Sequence, residues 1–488
     1  MSIEPFYLGG DLDTVERELE GGILVKEFSP SSLHAMLKEG RQLQAELCNL
    51  PLDERLQVVS MLGEVWQQRM MDGELDPVKK ELCAATGYPE KLIDLEFSLV
   101  RKVLDANEIR ANLDGSLVGG AEALEGYAEL REGEGIRHLP VGPSFIISSG
   151  NSVIPMLIPT IISLVSGNFT ILKPSISNYR AVVEVFSAFQ DLRNKSPAAH
   201  LMARSLSIGY MGHNSPTLEE ALARCDFGVV NFWGGEPARS EIGQKLSGNP
   251  HHPRLFVNGP LTGIAIVGGS RADDSAARGL ALNMILYEQQ LCSSPTLAFY
   301  IGSYEDSLRF SYLVRDHLEA IGSLYQVAPS DDALFVRNGA QKVMAFHGSK
   351  VLSSSSLKNP WTLAVSRGAS NLEAAVESFP SFSLHGRRRF LEMVVLDSAD
   401  RIAPLVAKLP AMNAFRGVDK VQTVGMALPE DLRNEVLWSL SPSGICRFVP
   451  IEDMFMRSAS EPYDGMPLAA LFTYAVYQRQ APAKEEVG

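Results

Sequence analysis

Cys292 lies in Glu288-Gln289-Gln290-Leu291-Cys292-Ser293-Ser294-Pro295, at the end of a helical run and just before a strand-like run, Thr296 to Ile301. A thiol at a helix-to-strand junction, flanked by small polar residues, is placed like a nucleophile, and the reactive form of such a group is the thiolate. Cys48, Cys83, Cys225 and Cys446 lie instead among ordinary helix or strand residues. Burial as a small hydrophobe is the usual fate there. A second candidate is Lys173 in Gly167-Asn168-Phe169-Thr170-Ile171-Leu172-Lys173-Pro174-Ser175, which reads as turn, strand, then a lysine at the strand's carboxyl end. Open α/β sheets bind ligands at that edge, and a lysine there can donate to ribose hydroxyls or phosphate oxygens. Taken alone, Lys173 reads as a solvated surface lysine. A third candidate is Gly234-Gly235, between the Phe227 to Phe232 strand and a helix from Pro237 to Leu246. Glycines before a helix N-terminus leave backbone N–H groups to face a phosphate, although this is not GxGxxG and a plain turn gives the same pattern.

These residues need elements to hold them. Residues 31 to 112 read as mostly helical, with Ser31-Ser32 and Asp53-Glu54 as capping residues before apolar helical spacing. From Ser144 short apolar runs alternate with helical segments. The runs are Phe145 to Ile147, Phe169 to Leu172, Leu206 to Ile208 and Phe227 to Phe232, with helices at 155–165, 179–192 and 217–224. A second alternating set starts at Arg254 to Val257 and continues through Ile264 to Val267, Leu297 to Tyr300 and Met393 to Leu396. This alternation predicts two parallel-sheet α/β domains meeting near residue 257.

Composition narrows the function classes. The 488 residues suffice for two or three domains, and 45% hydrophobic with 21% charged residues is ordinary for a soluble globular protein. A net charge of −14 argues against sequence-independent nucleic-acid binding, which needs a basic face. Five irregularly spaced cysteines form no disulfide framework, so a reducing compartment is expected. The acidic N-terminus does not read as a signal peptide, and the most apolar stretch, Val153 to Val165, is too short to span a bilayer. The tail from Gln480 to Gly488 is polar and expected to fray. None of the nine histidines shows metal-ligand spacing, so no metal is expected. Arg387-Arg388-Arg389 reads as a solvated charged face, with the phosphates of coenzyme A as the functional option, and Asp464-Gly465 reads as a turn.

The chain resembles the aldehyde dehydrogenase superfamily in the order of Gly150-Asn151, Gly167-Asn168 to Lys173-Pro174-Ser175, Phe232-Trp233-Gly234-Gly235, Asn258-Gly259-Pro260 and Gln290-Leu291-Cys292. Within it, the chain looks most like the long-chain acyl-CoA reductases of bacterial luminescence, the LuxC family. Glu288 to Pro295 carries the closest match, and Gly444 to Pro450 and Tyr463 to Leu468 are also similar. The resemblance implies an aldehyde dehydrogenase-like fold with an interdomain oligomerisation arm. It implies a helical part and dinucleotide-binding domain over 1–257, a catalytic domain over 258–440 and a C-terminal segment over 441–488. Cys292 is then similar to the superfamily nucleophile, and as thiolate it would attack the carbonyl of an acyl-CoA or acyl-protein thioester, expel the thiol and form a thioacyl-enzyme. Asn151 matches the position whose amide helps hold the oxyanion, although on its own it reads as a turn residue after Gly150. Lys173, Ser175, Gly234 and Gly235 match cofactor-binding positions. Hydride from the nicotinamide would then release the aldehyde.

Two departures sharpen the expectation. Hydrolytic superfamily members carry a water-activating glutamate 34 residues before the cysteine, and that place here is Asn258. An amide is no general base near neutral pH, so the thioacyl-enzyme should resist water and wait for hydride. Asn258 reads equally as a loop residue that caps a turn. Many NAD-using members place a carboxylate three residues after the lysine, where this chain has Ile176. No charge there repels a 2′-phosphate, which admits NADPH. The expected function is NADPH-dependent reduction of a fatty acyl thioester to the aldehyde by a cytoplasmic homo-oligomer, with an acyl-protein synthetase as partner. The alternatives are another enzyme of the fold, release of a carrier-protein-bound chain, and a non-catalytic scaffold.

Overall fold

The computed structural model describes residues 2–480 except Glu20, so all of the predicted polar tail beyond Gln480 lies outside the described residues. The chain divides into two compact units. Among the described residues, one comprises 2–86, 94–258 and 458–480, and the other 87–93 and 259–457.

The predicted helical stretch forms Pro30–Cys48, Leu52–Met71, Asp76–Thr86, Glu90–Val103 and Ala106–Ser116. The first helix starts earlier than its serine pair suggested. Its cap is Ser29, whose side chain accepts from Ser32 N, with Pro30 at the first position. Ser32 Oγ turns away to Asp13, bonding both its N–H and its carbonyl. Asp53 and Glu54 sit in the first turn of Leu52–Met71, where negative charge complements the helix dipole, but the cap position itself is Pro51.

The first unit is built on a six-stranded sheet. Its order is Arg254–Asn258, Val229–Trp233, Ser144–Ile147, Thr170–Lys173, Leu206–Ile208 and Phe6–Tyr7. The first five strands are parallel and the last pairs antiparallel. Numbered along the chain, the parallel strands run 5-4-1-2-3, a doubly wound order. Both sheet faces are covered, which is why these strands read as continuous apolar runs. Phe145 and Phe227 stack with ring centroids 5.2 Å apart in this core. A three-stranded antiparallel sheet, Ala128–Arg131, Glu134–Pro140 and Thr473–Arg479, brings the C-terminal strand back to this unit.

The second unit holds a seven-stranded sheet. Lys350–Ser353 is its antiparallel edge, followed by Thr362–Arg367, Phe390–Leu396, Pro295–Ile301, Leu261–Gly268, Lys420–Ala427 and Arg447–Pro450. The last six strands are parallel. The α/β class with parallel sheets is therefore as the sequence predicted.

Candidate active site

Strand order locates the first group of residues. The order of the first sheet reverses between Ser144–Ile147 and Val229–Trp233. Ligands of doubly wound sheets bind outside the carboxyl ends of the strands at such a reversal. The chain leaves the first of these strands into Ser148 to Val153, which carries Asn151, and leaves the second into Gly234-Gly235. Lys173 ends the next strand and Ser175 follows it. The sheet thus gathers Asn151, Lys173, Ser175, Gly234 and Gly235 along one edge.

The turn around Asn151 is braced on several sides. Ser149 Oγ donates to Asn151 Oδ1 at 3.0 Å. Asn178 Nδ2 donates to the carbonyls of Ser149 at 3.2 Å and Ser152 at 2.9 Å, and Ser177 Oγ donates to the Gly150 carbonyl at 3.0 Å. A Cβ on Gly150 would lie 2.6 Å from both Ser175 Oγ and Ser177 Oγ, so only glycine lets these chains approach so closely. Ser175 therefore packs against the Asn151 turn. Glu96 completes the bracing. Its carboxylate receives Ser152 Oγ and Val153 N, and burial raises its pKa against the lowering effect of these donors.

Lys173 is buried, with 8% of its surface exposed, which corrects its reading as a solvated lysine. Its Nζ lies 5.5 Å from the Tyr210 ring centroid, over the ring face. Burial lowers its pKa to about 8, with the Glu27 carboxylate acting in the opposite sense. It lines a small cavity of about 40 Å³ with His213, Phe232, Glu241 and Lys245, between the helices Pro216–Ala223 and Ala238–Ser247. Gly234 N–H is already engaged by the Asn258 carbonyl at 3.1 Å.

Asn258 itself ends the strand Arg254–Asn258 and is 4% exposed. Trp233 Nε1 donates to Asn231 Oδ1 at 2.6 Å, Asn231 Nδ2 to Asn258 Oδ1 at 2.8 Å, and Asn258 Nδ2 to Asp464 Oδ2 at 2.9 Å. An indole can only donate and a carboxylate can only accept, so the two ends fix the direction of the whole chain of bonds.

Cys292 belongs to the second unit, in the turn between the helix Asp274–Ile285 and the strand Pro295–Ile301, and is partly exposed. Tyr287, Glu288 and Gln289 before it adopt left-handed φ values of 50°, 52° and 65°. Non-glycine residues hold such conformations only where the surroundings impose them. Here Gln289 is buried and clamps the turn, its Nε2 donating to Pro295 O at 2.6 Å and its Oε1 accepting from Phe390 N at 2.7 Å. Gln290 Nε2 donates to Arg387 O at 2.8 Å, and Leu291 N to Ser294 Oγ at 3.2 Å. A Cβ on Gly263 would come within 2.3 Å of Ser293 O, so the neighbouring strand must be glycine where the turn crosses it.

A family model described as acyl-CoA reductase (LuxC) matches residues 47–474. The chain belongs to this family.

Its relatives include a long-chain acyl-protein thioester reductase of Photobacterium phosphoreum, 24% identical over 289 residues, which are 59% of this chain and 56% of that protein. Another of the same description, from Photorhabdus luminescens, is 23% identical over 93% of this chain and 88% of its own length. The chain thus spans about half the length of the first relative and most of the second. Among solved structures, a salicylaldehyde dehydrogenase from Pseudomonas putida G7 superposes with a TM-score of 0.68 at 14% identity, covering 100% of this chain and 99% of that one. An oxidoreductase from Marinobacter aquaeolei gives 0.68 at 13%, covering 98% of each chain. These likenesses show the aldehyde dehydrogenase fold that the motif order implied.

In this acyl-CoA reductase family member the arginine run is not a solvated face. Arg387 and Arg389 are 3% and 1% exposed, and burial lowers both pKa values to about 10. Arg387 lies over the Phe415 ring and donates to Ala414 O at 2.9 Å, while Arg389 donates to Tyr325 O at 2.6 Å. Only Arg388 is exposed, and it pairs with Glu288 beside the Cys292 turn. The run serves the turn structurally, since two of its three guanidinium groups have no access to solvent phosphates. Asp464 does lie in a turn, with φ 54°, and its carboxylate also terminates the Asn258 network. Sequence reasoning missed Glu96 and Asn178, because nothing local ties them to Asn151. Ser149, two residues from Asn151, was within reach of a search for serine hydroxyls beside the turn. Among the described residues no cluster of His, Cys, Asp or Glu is placed to hold a metal, and no helix is long and apolar enough to cross a membrane.

Proposed function

We propose that this protein reduces a long-chain acyl thioester to the aldehyde with NADPH, through a thioacyl intermediate on Cys292. The Cys292 thiolate attacks the thioester carbonyl, the carbon–sulfur bond to the donor breaks, and the donor leaves as a thiol after taking a proton. The Asn151 amide and the Cys292 backbone N–H stabilise the oxyanion of this step, a contribution of roughly 3 kcal/mol per donor. Bound NADPH would supply the hydride. The resulting thiohemiacetal expels the Cys292 thiolate and releases the aldehyde.

The residues at the first sheet's edge fit a dinucleotide. A buried lysine carrying positive charge is costly unless an anion or polar ligand meets it, and Lys173 lines a cavity between two helices at the strand-order reversal. Lys173 and Ser175 would hold the cofactor, with the Gly234-Gly235 turn as the loop over it, the Gly234 N–H being engaged by the Asn258 carbonyl. Ile176, in the place of a repelling carboxylate, admits NADPH.

The observation that carries the reading is the clamped turn that presents a partly exposed Cys292 within a chain of the acyl-CoA reductase family. Asn258 supports reduction over oxidation, because its amide is committed to Asn231 and Asp464 and offers no general base. The relatives' description favours a protein-bound acyl donor, with acyl-CoA as the alternative donor and an acyl-protein synthetase as the proposed partner. A cytoplasmic homo-oligomer joined through the Thr473–Arg479 arm completes the reading, consistent with the exposed Tyr474 and Tyr477 on that strand.

Acylation tests it. Purified protein and its Cys292→Ala variant are incubated with radiolabelled long-chain acyl-CoA or acyl-carrier protein, then with NADPH or NADH. Label on the wild type alone, leaving as aldehyde with NADPH, supports the reading. Absence of label from both proteins with both donors overturns it and favours a scaffold.

A further inference from the structure

We propose that Ser149 and Glu96 are positioning residues that hold the Asn151 side-chain amide in place. This rests on the reading of Asn151 as an oxyanion-stabilising group.

A side-chain amide has a donor end and an acceptor end. Flipped, Asn151 would turn its oxygen toward a developing oxyanion and repel it. The Ser149 hydroxyl donates to Asn151 Oδ1 at 3.0 Å, which places the carbonyl end on the Ser149 side and leaves the NH₂ directed away from it. The backbone beneath this bond is held on both sides. Asn178 ties the carbonyls on either side of Gly150-Asn151, and Ser177 ties the Gly150 carbonyl between them. The remaining end of the turn is held by Glu96, from the helix Glu90–Val103. It is 1% exposed and receives Ser152 Oγ and, at 2.5 Å, Val153 N. Ser152 is the residue after Asn151. Val153 is the cap position of the helix Ile154–Val165 and has no side-chain acceptor of its own, so Glu96 receives its N–H while Ser152 Oγ accepts from Ile154 N at 3.3 Å. A carboxylate this deeply buried, committed to the residues that follow Asn151, points to precise placement of that side chain.

The test measures the single-turnover rate of Cys292 acylation by a long-chain acyl thioester. The thioester KM and NADPH affinity are measured in parallel for wild type, Asn151→Ala, Ser149→Ala, Ser149→Thr, Glu96→Ala and Glu96→Gln. Asn151→Ala should slow acylation about 10²- to 10³-fold. Ser149→Ala should slow it about 5- to 10-fold, the scale of one hydrogen bond, with KM and NADPH affinity unchanged. Ser149→Thr and Glu96→Gln, which keep the hydroxyl and one acceptor oxygen, should recover most of the rate, and Glu96→Ala should not. If Asn151→Ala acylates at the wild-type rate, the reading of Asn151 fails. If Asn151→Ala is slow while Ser149→Ala stays within about twofold of wild type, the positioning proposal is overturned. Ser149→Ala decides alone should Glu96→Ala not fold.

Discussion

The Asn258 amide donates to the Asp464 carboxylate at 2.9 Å, across 206 residues of sequence. This bond ties the end of the strand Arg254–Asn258 to the returning C-terminal segment, and the Trp233–Tyr463 ring pair, 4.9 Å between centroids, reinforces the junction. It also engages the amide at the position where the resemblance to the aldehyde dehydrogenase superfamily implies a carboxylate in hydrolytic members.

Removing the acceptor should be costly. Asp464→Ala leaves the Asn258 amide short of a partner in a side chain 4% exposed, and should lower stability by about 1–3 kcal/mol in urea denaturation. The exchanged pair Asn258→Glu with Asp464→Asn keeps one acid and one amide and should retain most of that stability. It places a carboxylate at 258, so a labelled thioacyl-enzyme left without NADPH should lose its acyl group to water on the order of 10²-fold faster. Equal persistence of label in wild type and exchanged variant would contradict this.

The Cys292 turn should be disturbed by substitutions that touch neither the nucleophile nor the substrate. Gly263→Ala drives a methyl group into Ser293 O, and should cost about 1–3 kcal/mol while slowing acylation. Gln289→Ala removes the bonds to Pro295 O and Phe390 N and should do the same. Thermal melts and acylation rates measured side by side separate the two effects; an unaltered acylation rate in both variants would show that the turn needs no clamp.

Lys173 links stability to pH. Its pKa is about 8 in the folded protein against 10.5 ordinarily, so between these values the unfolded chain binds more protons and stability of the cofactor-less protein rises with pH. Below about pH 8 the cost of burying the ammonium is present in full. Lys173→Met should therefore raise the melting temperature of the cofactor-less protein at pH 7 and remove the rise between pH 8 and 10.5, while weakening NADPH binding. In the wild type NADPH affinity should fall as pH passes through about 8. Melting curves across pH and cofactor titrations check both statements.

The sequence by itself determined the local elements and the residues with chemical potential. Alternating apolar runs and helical periods made the parallel α/β class legible, because strands covered on both faces must be apolar throughout. Cys292, Lys173 and Gly234-Gly235 were visible because their chemistry is read from residue type at an element's end. Tertiary structure decided what each of these residues faces. Burial of Lys173, Arg387 and Arg389 depends on which surfaces the sheets and helices cover, and a charged side chain looks the same in sequence whether solvated or enclosed. Strand order, which gathers Asn151, Lys173 and Gly234 at one edge, is set by long-range pairing. Glu96, Asn178 and Asp464 acquire their partners only when distant segments meet, since a hydrogen bond is a short-range interaction and sequence separation carries no information about it.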